Sequence, residues 1–143
     1  MKIGIASDHA GFDTKQVLIT YLKEKGYELV DFGANSSNSV DYPDYAHPLA
    51  NAVENHDVDT GIALCGSGNG ISITVNKHQG IRSALCWNAE ICKLARKHND
   101  SNICSIPARF VSIEVAKAIV DTHLNTEFEG GRHQNRINKI ACS

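Results

Sequence analysis

No uninterrupted apolar run in this chain approaches the roughly 20 residues that a membrane-spanning helix needs, which excludes a helical membrane protein. The opening residues, MKIGIASDHAG, reach Asp8 before a signal-peptide core could form, so the expected compartment is the cytoplasm. Positive charge is not in excess either: 14 Lys and Arg stand against 16 Asp and Glu, a net charge of -2. That balance argues against nucleic acid as the main partner, although it leaves local basic patches open. The five cysteines (Cys65, Cys86, Cys92, Cys104 and Cys142) are odd in number and irregular in spacing, and none forms a CxxC pair. A disulfide framework or a zinc site is therefore not expected. The carboxylates and histidines show no metal-ligand spacing, so no metal and no cofactor are expected. There is no G-x-G-x-x-G and no Gly-Lys-Ser/Thr, which removes the dinucleotide and P-loop signatures.

What remains is a chain of 143 residues, 42% apolar and 21% charged, which suits one soluble domain over 1–143 with a sizeable core. Strand-like and helix-like runs alternate. KIGIAS, YELVDF, TGIALC, IRSALC and SNICSI read as strands. DTKQVLITYLKEKG carries Val17, Leu18, Tyr21 and Leu22 at helical spacing and stops at Gly26. DYAHPLANAVEN is helical if Pro48 lies in its first turn. NAEICKLARKHN is capped by Asn88, and SIEVAKAIVDTHLN opens with Ser112 and Glu114. A short helix or turn over GISITVNK and a last helix in GGRHQNRINKI complete the set. The alternation predicts an α/β three-layer sandwich: a five-stranded parallel sheet of order 2-1-3-4-5 with helices on both faces. Ligands in such sheets bind at the carboxyl ends of the strands where the order reverses, here between strands one and three. Their exits read SDHAG and CGSGNG.

Gly66, Gly68 and Gly70 permit positive φ and let a ligand approach the backbone, and the helix start beyond them offers unpaired N–H groups. Such a nest suits a phosphate or a developing oxyanion. Glycines alone fit a tight strand-to-helix turn equally well. Cys65 sharpens the reading, because a thiol at the strand end beside a helix N-terminus is favoured as thiolate and can serve as nucleophile or base. Ser67 either bonds a substrate oxygen or merely stabilises the turn. Cys86, Cys92, Cys104 and Cys142 read as small buried hydrophobes.

Asp8 either caps the next helix or joins the site, and His9 is a loop histidine or a ligand. His98, Asn99 and Asp100 fall between a helix and the fifth strand, at the amino end of the sheet and away from Cys65. A role for His98 in the chemistry therefore implies a second subunit. Arg132 and Arg136 share one helix face, which suits a phosphate dianion but also a solvated basic surface. Arg109, after the fifth strand, is a third cation.

Five segments in order, SDHAG, DYPDYA, CGSGNGISI…NK, RKHNDSN and EGGRHQNRI, resemble the type B ribose-5-phosphate isomerase family, whose wider group includes galactose-6-phosphate and allose-6-phosphate isomerases. The resemblance covers nearly the whole chain. It implies a Rossmann-like fold, a metal-free and cofactor-free aldose–ketose isomerase, and a homodimer with sites between subunits, or a tetramer of such pairs. The C-terminal helix is then expected at dimer contacts. By the same resemblance Cys65 moves the proton between C1 and C2. The backbone of Gly66, Gly68, Asn69 and Gly70 holds the oxyanion, and Ser67 shuttles protons between oxygens. His98 with Asp8 opens the furanose ring. His9, Arg109, Arg132 and Arg136 hold the phosphate, while Asn99 and Tyr42 orient the sugar. One branch of the family carries a glutamate base just after the glycines; Ile71 stands there, which places this chain with the cysteine branch. Pro107 stands where better-known members of that branch have glycine.

The leading reading is thus an isomerase of D-ribose 5-phosphate and D-ribulose 5-phosphate in the pentose phosphate pathway. Its rivals are an isomerase of a six-carbon 6-phosphate, a non-catalytic sugar-phosphate or nucleotide binding module, and a thiol redox protein. Cys65, Ser67 and His98 together favour an enzyme over a binding module, and the missing CxxC disfavours redox chemistry.

Overall fold

Strands buried on both faces read as nearly continuous apolar runs, and KIGIAS, TGIALC and SNICSI come closest to that pattern. The computed structural model describes residues 1–142. Its elements are β1 (Lys2–Ser7), α1 (Phe12–Glu24), β2 (Glu28–Asp31), α2 (Pro43–Glu54), β3 (Thr60–Cys65), α3 (Asn69–Val75), β4 (Ser83–Leu85), α4 (Ala89–Asn99), β5 (Ile103–Pro107), α5 (Ile113–Asn125) and α6 (Arg132–Ile137). All pairings are parallel. No helix among the described residues is long and apolar enough to cross a membrane.

The sheet order is β2-β1-β3-β5-β4, which corrects the expected 2-1-3-4-5 at its last two places. Burial is the reason. All five residues of β5 are buried, whereas β4 is three half-buried residues and suits an edge. The chain leaves β3, skips one position to lay down β4, and α4 returns it to fill the gap with β5. The reversal between β1 and β3 is unaffected, so their carboxyl ends still emerge side by side.

Successive residues of each central strand feed opposite cores. Ile62, Leu64, Cys104 and Ile106 join Leu18 and Leu22 of α1, Cys92 of α4 and Ile119 and Val120 of α5. Ala63, Cys65 and Ile103 join Leu49 and Val53 of α2 and Ile71 and Val75 of α3. Close approach of α2 depends on missing side chains: a Cβ at Gly4 would lie 2.7 Å from Leu49 Cδ1, and one at Gly61 would lie 3.1 Å from it. That closeness sets the height of the α2 N-terminus above the sheet.

Two local expectations change. Pro43, not Pro48, occupies the first turn of α2, where a missing N–H costs nothing; Pro48 lies inside the helix and leaves it one internal bond short. Cys142, which follows α6 and lies outside both core clusters, is exposed rather than buried. The N-caps read from sequence hold: Asn88 Oδ1 accepts from Ile91 N–H at 2.9 Å, and Ser112 Oγ accepts from Val115 N–H at 3.1 Å.

Candidate active site

The chain leaves β3 at Cys65, which is 4% exposed, and passes through Gly66–Ser67–Gly68 into α3. Gly68 caps α3 in the left-handed region, at φ 75°. Any side chain there would be strained, and its Cβ would lie 2.5 Å from Leu85 Cδ1. Ser67 Oγ takes the N–H of Asn69 at 3.3 Å, which makes the hydroxyl part of the turn while leaving it at the surface.

The other two glycines are bare because neighbours lie over them. A Cβ at Gly66 would sit 3.1 Å from Arg109 Nη1, so the guanidinium lies directly on this residue. A Cβ at Gly70 would sit 2.5 Å from the Tyr42 ring. Tyr42 is the N-cap residue of α2, so the close seating of that helix delivers the phenol to the loop. Arg109 is aimed by backbone bonds: Ala108 N–H donates to Cys65 O at 2.9 Å and Arg109 N–H to Gly66 O at 3.0 Å. Pro107, which pairs with Cys65 in the sheet register, does not disturb this placement.

From β1, Asp8 and His9 enter the same space. Asp8 Oδ1 takes the N–H groups of Ala10 and Gly11 at 2.9 and 3.2 Å, which caps the entry to α1. The turn occupies one carboxylate oxygen, and Asp8 also lines the cleft. His9 Nδ1 accepts the Val40 N–H at 3.2 Å. That bond places the proton of the neutral ring on Nε2, which is left as a donor.

These residues line one open cleft of roughly 680 Å³: Asp8, His9, Tyr42, Cys65, Gly66, Ser67, Gly70 and Arg109 from the expected set. Ser39, Val40, Asp41 and Phe110 line it too and were not singled out from sequence. Ser39, Val40 and Asp41 belong to the polar loop before Pro43, whose only signal was its turn-like composition. Phe110 is 75% exposed and gives no periodic cue.

His98, Asn99, Arg132 and Arg136 do not line this cleft. His98 ends α4 and stacks on His133 of α6, ring centroids 4.5 Å apart. The Asn99 carbonyl accepts from Arg82 Nε at 3.2 Å. Arg132 and Arg136 are exposed on α6, and among the described residues neither forms an ion pair with a carboxylate. Gly68 and Asn69 belong to the loop without lining the cleft. Two groupings with metal-ligand atoms were concealed by linear spacing: His98 with Glu129 and His133, and Cys86 with Cys92 and Cys104.

Residues 3–140 match the family model described as Ribose/Galactose Isomerase. Ribose-5-phosphate isomerase B of Escherichia coli is 45% identical over 141 residues, which is 99% of this chain and 95% of that protein. The structure of Clostridium thermocellum ribose-5-phosphate isomerase B superposes with a TM-score of 0.97 at 48% identity, over 98% of this chain and 95% of that one. That of the Mycoplasma genitalium ribose-5-phosphate isomerase B, with bound ribulose-5-phosphate, gives a TM-score of 0.92 at 42% identity, over 97% of this chain and 93% of that one. With its sheet reversal, its cysteine-headed glycine loop and these full-length likenesses, the chain belongs to the ribose/galactose isomerase family.

Proposed function

We propose that this protein interconverts D-ribose 5-phosphate and D-ribulose 5-phosphate through an enediolate, as a cytoplasmic homodimer. The observation that carries the reading is the meeting of the Cys65 thiol, the glycine-loop backbone, Asp8, His9 and Arg109 in one cleft. The bound ribulose-5-phosphate in the 42%-identical relative supplies the substrate class.

The chemistry follows from the atoms available. In the aldose-to-ketose direction the Cys65 thiolate takes the proton from C2, and charge moves onto the C1 carbonyl oxygen. Backbone N–H groups of the Gly66–Gly70 loop receive that oxygen, and pre-aimed donors of this kind are worth about 3 kcal/mol each. Ser67 passes a proton between the C2 and C1 oxygens, and the thiol returns its proton to C1. His9 Nε2–H and Arg109 hold the phosphate. His98 and Asp8 open the furanose ring, Asn99 and Tyr42 orient the open chain, and Arg132 and Arg136 complete the phosphate clamp. A second copy supplies those of these groups that lie outside the cleft of their own chain.

A direct assay of ribose 5-phosphate against the 6-phosphates of allose and galactose tests the substrate. The five-carbon ester is expected to show kcat/KM about tenfold higher or more. Preference for a six-carbon ester would reject the assignment.

Gly70→Ala probes the loop itself. The added methyl meets the Tyr42 ring, while alanine is favoured over glycine in a helix by about 1 kcal/mol, so stability should hold. Misplacing Tyr42 by an ångström is expected to lower kcat/KM by about 10²-fold. A thermal melt beside steady-state kinetics separates the two effects; an unchanged kcat/KM would show that Tyr42 does not set substrate position.

A further inference from the structure

Cys86, Cys92 and Cys104 are scattered in sequence and meet in the core on the face of the sheet away from Cys65. Register pairs Ala84 of β4 with Cys104 of β5, so Cys86, two residues after Ala84, leans to the same face. Cys92, the fourth residue of α4, comes down on both. The three sulfur atoms lie within 4.8 Å of one another, and none of the three residues is more than 1% exposed. Cys86 Sγ donates to Ala84 O and Cys92 Sγ to Ile119 O, each at 3.5 Å, and among the described residues Cys104 Sγ has no backbone acceptor.

A fourth group stands beside the cluster at Cys92, outside the 4.8 Å spacing of the three sulfur atoms. His123 of α5 is 4% exposed and interacts with the Cys92 thiol. Its protonation follows from its neighbours. Thr60 Oγ1 donates to Asn102 O at 3.0 Å, so at 2.7 Å it accepts from His123 Nε2–H. Nδ1 therefore carries a lone pair, and it is buried without a hydrogen-bond partner. A buried acceptor left unpaired is costly, and beside the Cys92 thiol it has the character of a ligand in waiting.

We propose that Cys86, Cys92, Cys104 and His123 form a closed structural zinc site that ties β4, α4, β5 and α5 together. Three thiolates and one imidazole make up a four-coordinate tetrahedral set. At a Zn–S distance of about 2.3 Å the sulfur atoms stand about 3.8 Å apart, a small contraction of the three-sulfur cluster, and the His123 ring closes in from its place beside Cys92. Binding releases three protons, one from each thiol, and leaves one net negative charge, which the nearby N-terminal turn of α4 favours. Thr60 acts on the metal through His123, by fixing which ring nitrogen is free. The burial means that zinc enters as the chain folds and that a chelator added to folded protein does not strip it. The site lies across the sheet from the cleft, so its role is structural and the proton transfer at Cys65 does not pass through it.

Elemental analysis of purified protein, and of protein unfolded and refolded with zinc, tests this. About one zinc per chain is expected, and cobalt in its place should show thiolate-to-metal charge-transfer absorption. Cys104→Val, which removes one ligand and keeps an apolar core residue, should cut bound zinc about tenfold or more. Thr60→Val should weaken zinc about 10–100-fold, with Thr60→Ser restoring it, an effect that a merely hydrophobic cysteine cluster would not produce. His133→Asn removes the other potential metal group and should leave the zinc in place. Folded protein with no zinc, both as purified and after refolding with zinc, would overturn the site. So would zinc that survives Cys104→Val or disappears with His133→Asn.

Discussion

Cys65→Ala is expected to lower kcat about 10²–10⁴-fold, the range associated with loss of a positioned general base. KM should stay within a few-fold, because the groups assigned to the phosphate and the sugar are untouched. The thiol is small and lies at the end of β3 with one side toward the cleft, so its removal costs little core volume. Cys65→Ser sharpens the test. Serine keeps a hydroxyl of similar size but ionises far less readily than a thiol, so it too should be nearly inactive. The loop itself offers no substitute base: its next side chain is Ser67, and Ile71, which follows the glycines, is apolar and 0% exposed. Steady-state kinetics on ribose 5-phosphate, with circular dichroism to confirm folding, decide the point. Near-native kcat in either variant would remove Cys65 from proton transfer.

Mixing two inactive variants should restore activity. Cys65→Ala and His98→Asn each damage both sites of a homodimer if each site takes Cys65 from one subunit and His98 from the other. A heterodimer of the two then has one fully damaged site and one intact site. Random exchange makes half the dimers mixed, and half of their sites work, so about a quarter of wild-type activity is expected. Co-refolding the two variants in equal amounts and assaying with ribose 5-phosphate reads this directly. If His98 and Cys65 served the same site within one chain, the mixture would stay as inactive as its parents. The premise is geometric: His98 ends α4 and stacks on α6, outside the cleft that Cys65 lines. The same logic carries over to Arg132 and Arg136 on α6, whose exposed guanidinium groups would be available to a neighbouring subunit.

Helix and strand identities were readable because burial on two faces demands apolar strands, and amphipathic helices announce themselves through 3.6-residue spacing. The Cys65–Gly70 loop and the Asp8–His9 exit were readable for the same reason, as polar breaks at the ends of such strands. Less was visible wherever a residue matters for what it touches across the fold. Nothing in linear spacing said that Gly70 is bare for the Tyr42 ring or Gly66 for Arg109. Val40 contributes through its N–H, which leaves no trace in side-chain chemistry.

Local order along the chain therefore dictated the alternating α/β plan, the switch between β1 and β3 and the residues that meet there, since these depend on short-range periodicity and on turn chemistry. The place of β5 between β3 and β4 depended instead on which strand is better buried. The gathering of three thiols in the core likewise required long-range packing, because Cys104 lies 12 and 18 positions from Cys92 and Cys86 and meets them only when β5 pairs with β4. Pairwise contacts of that range are set by the minimum free energy of the whole core, and no window of sequence contains both partners.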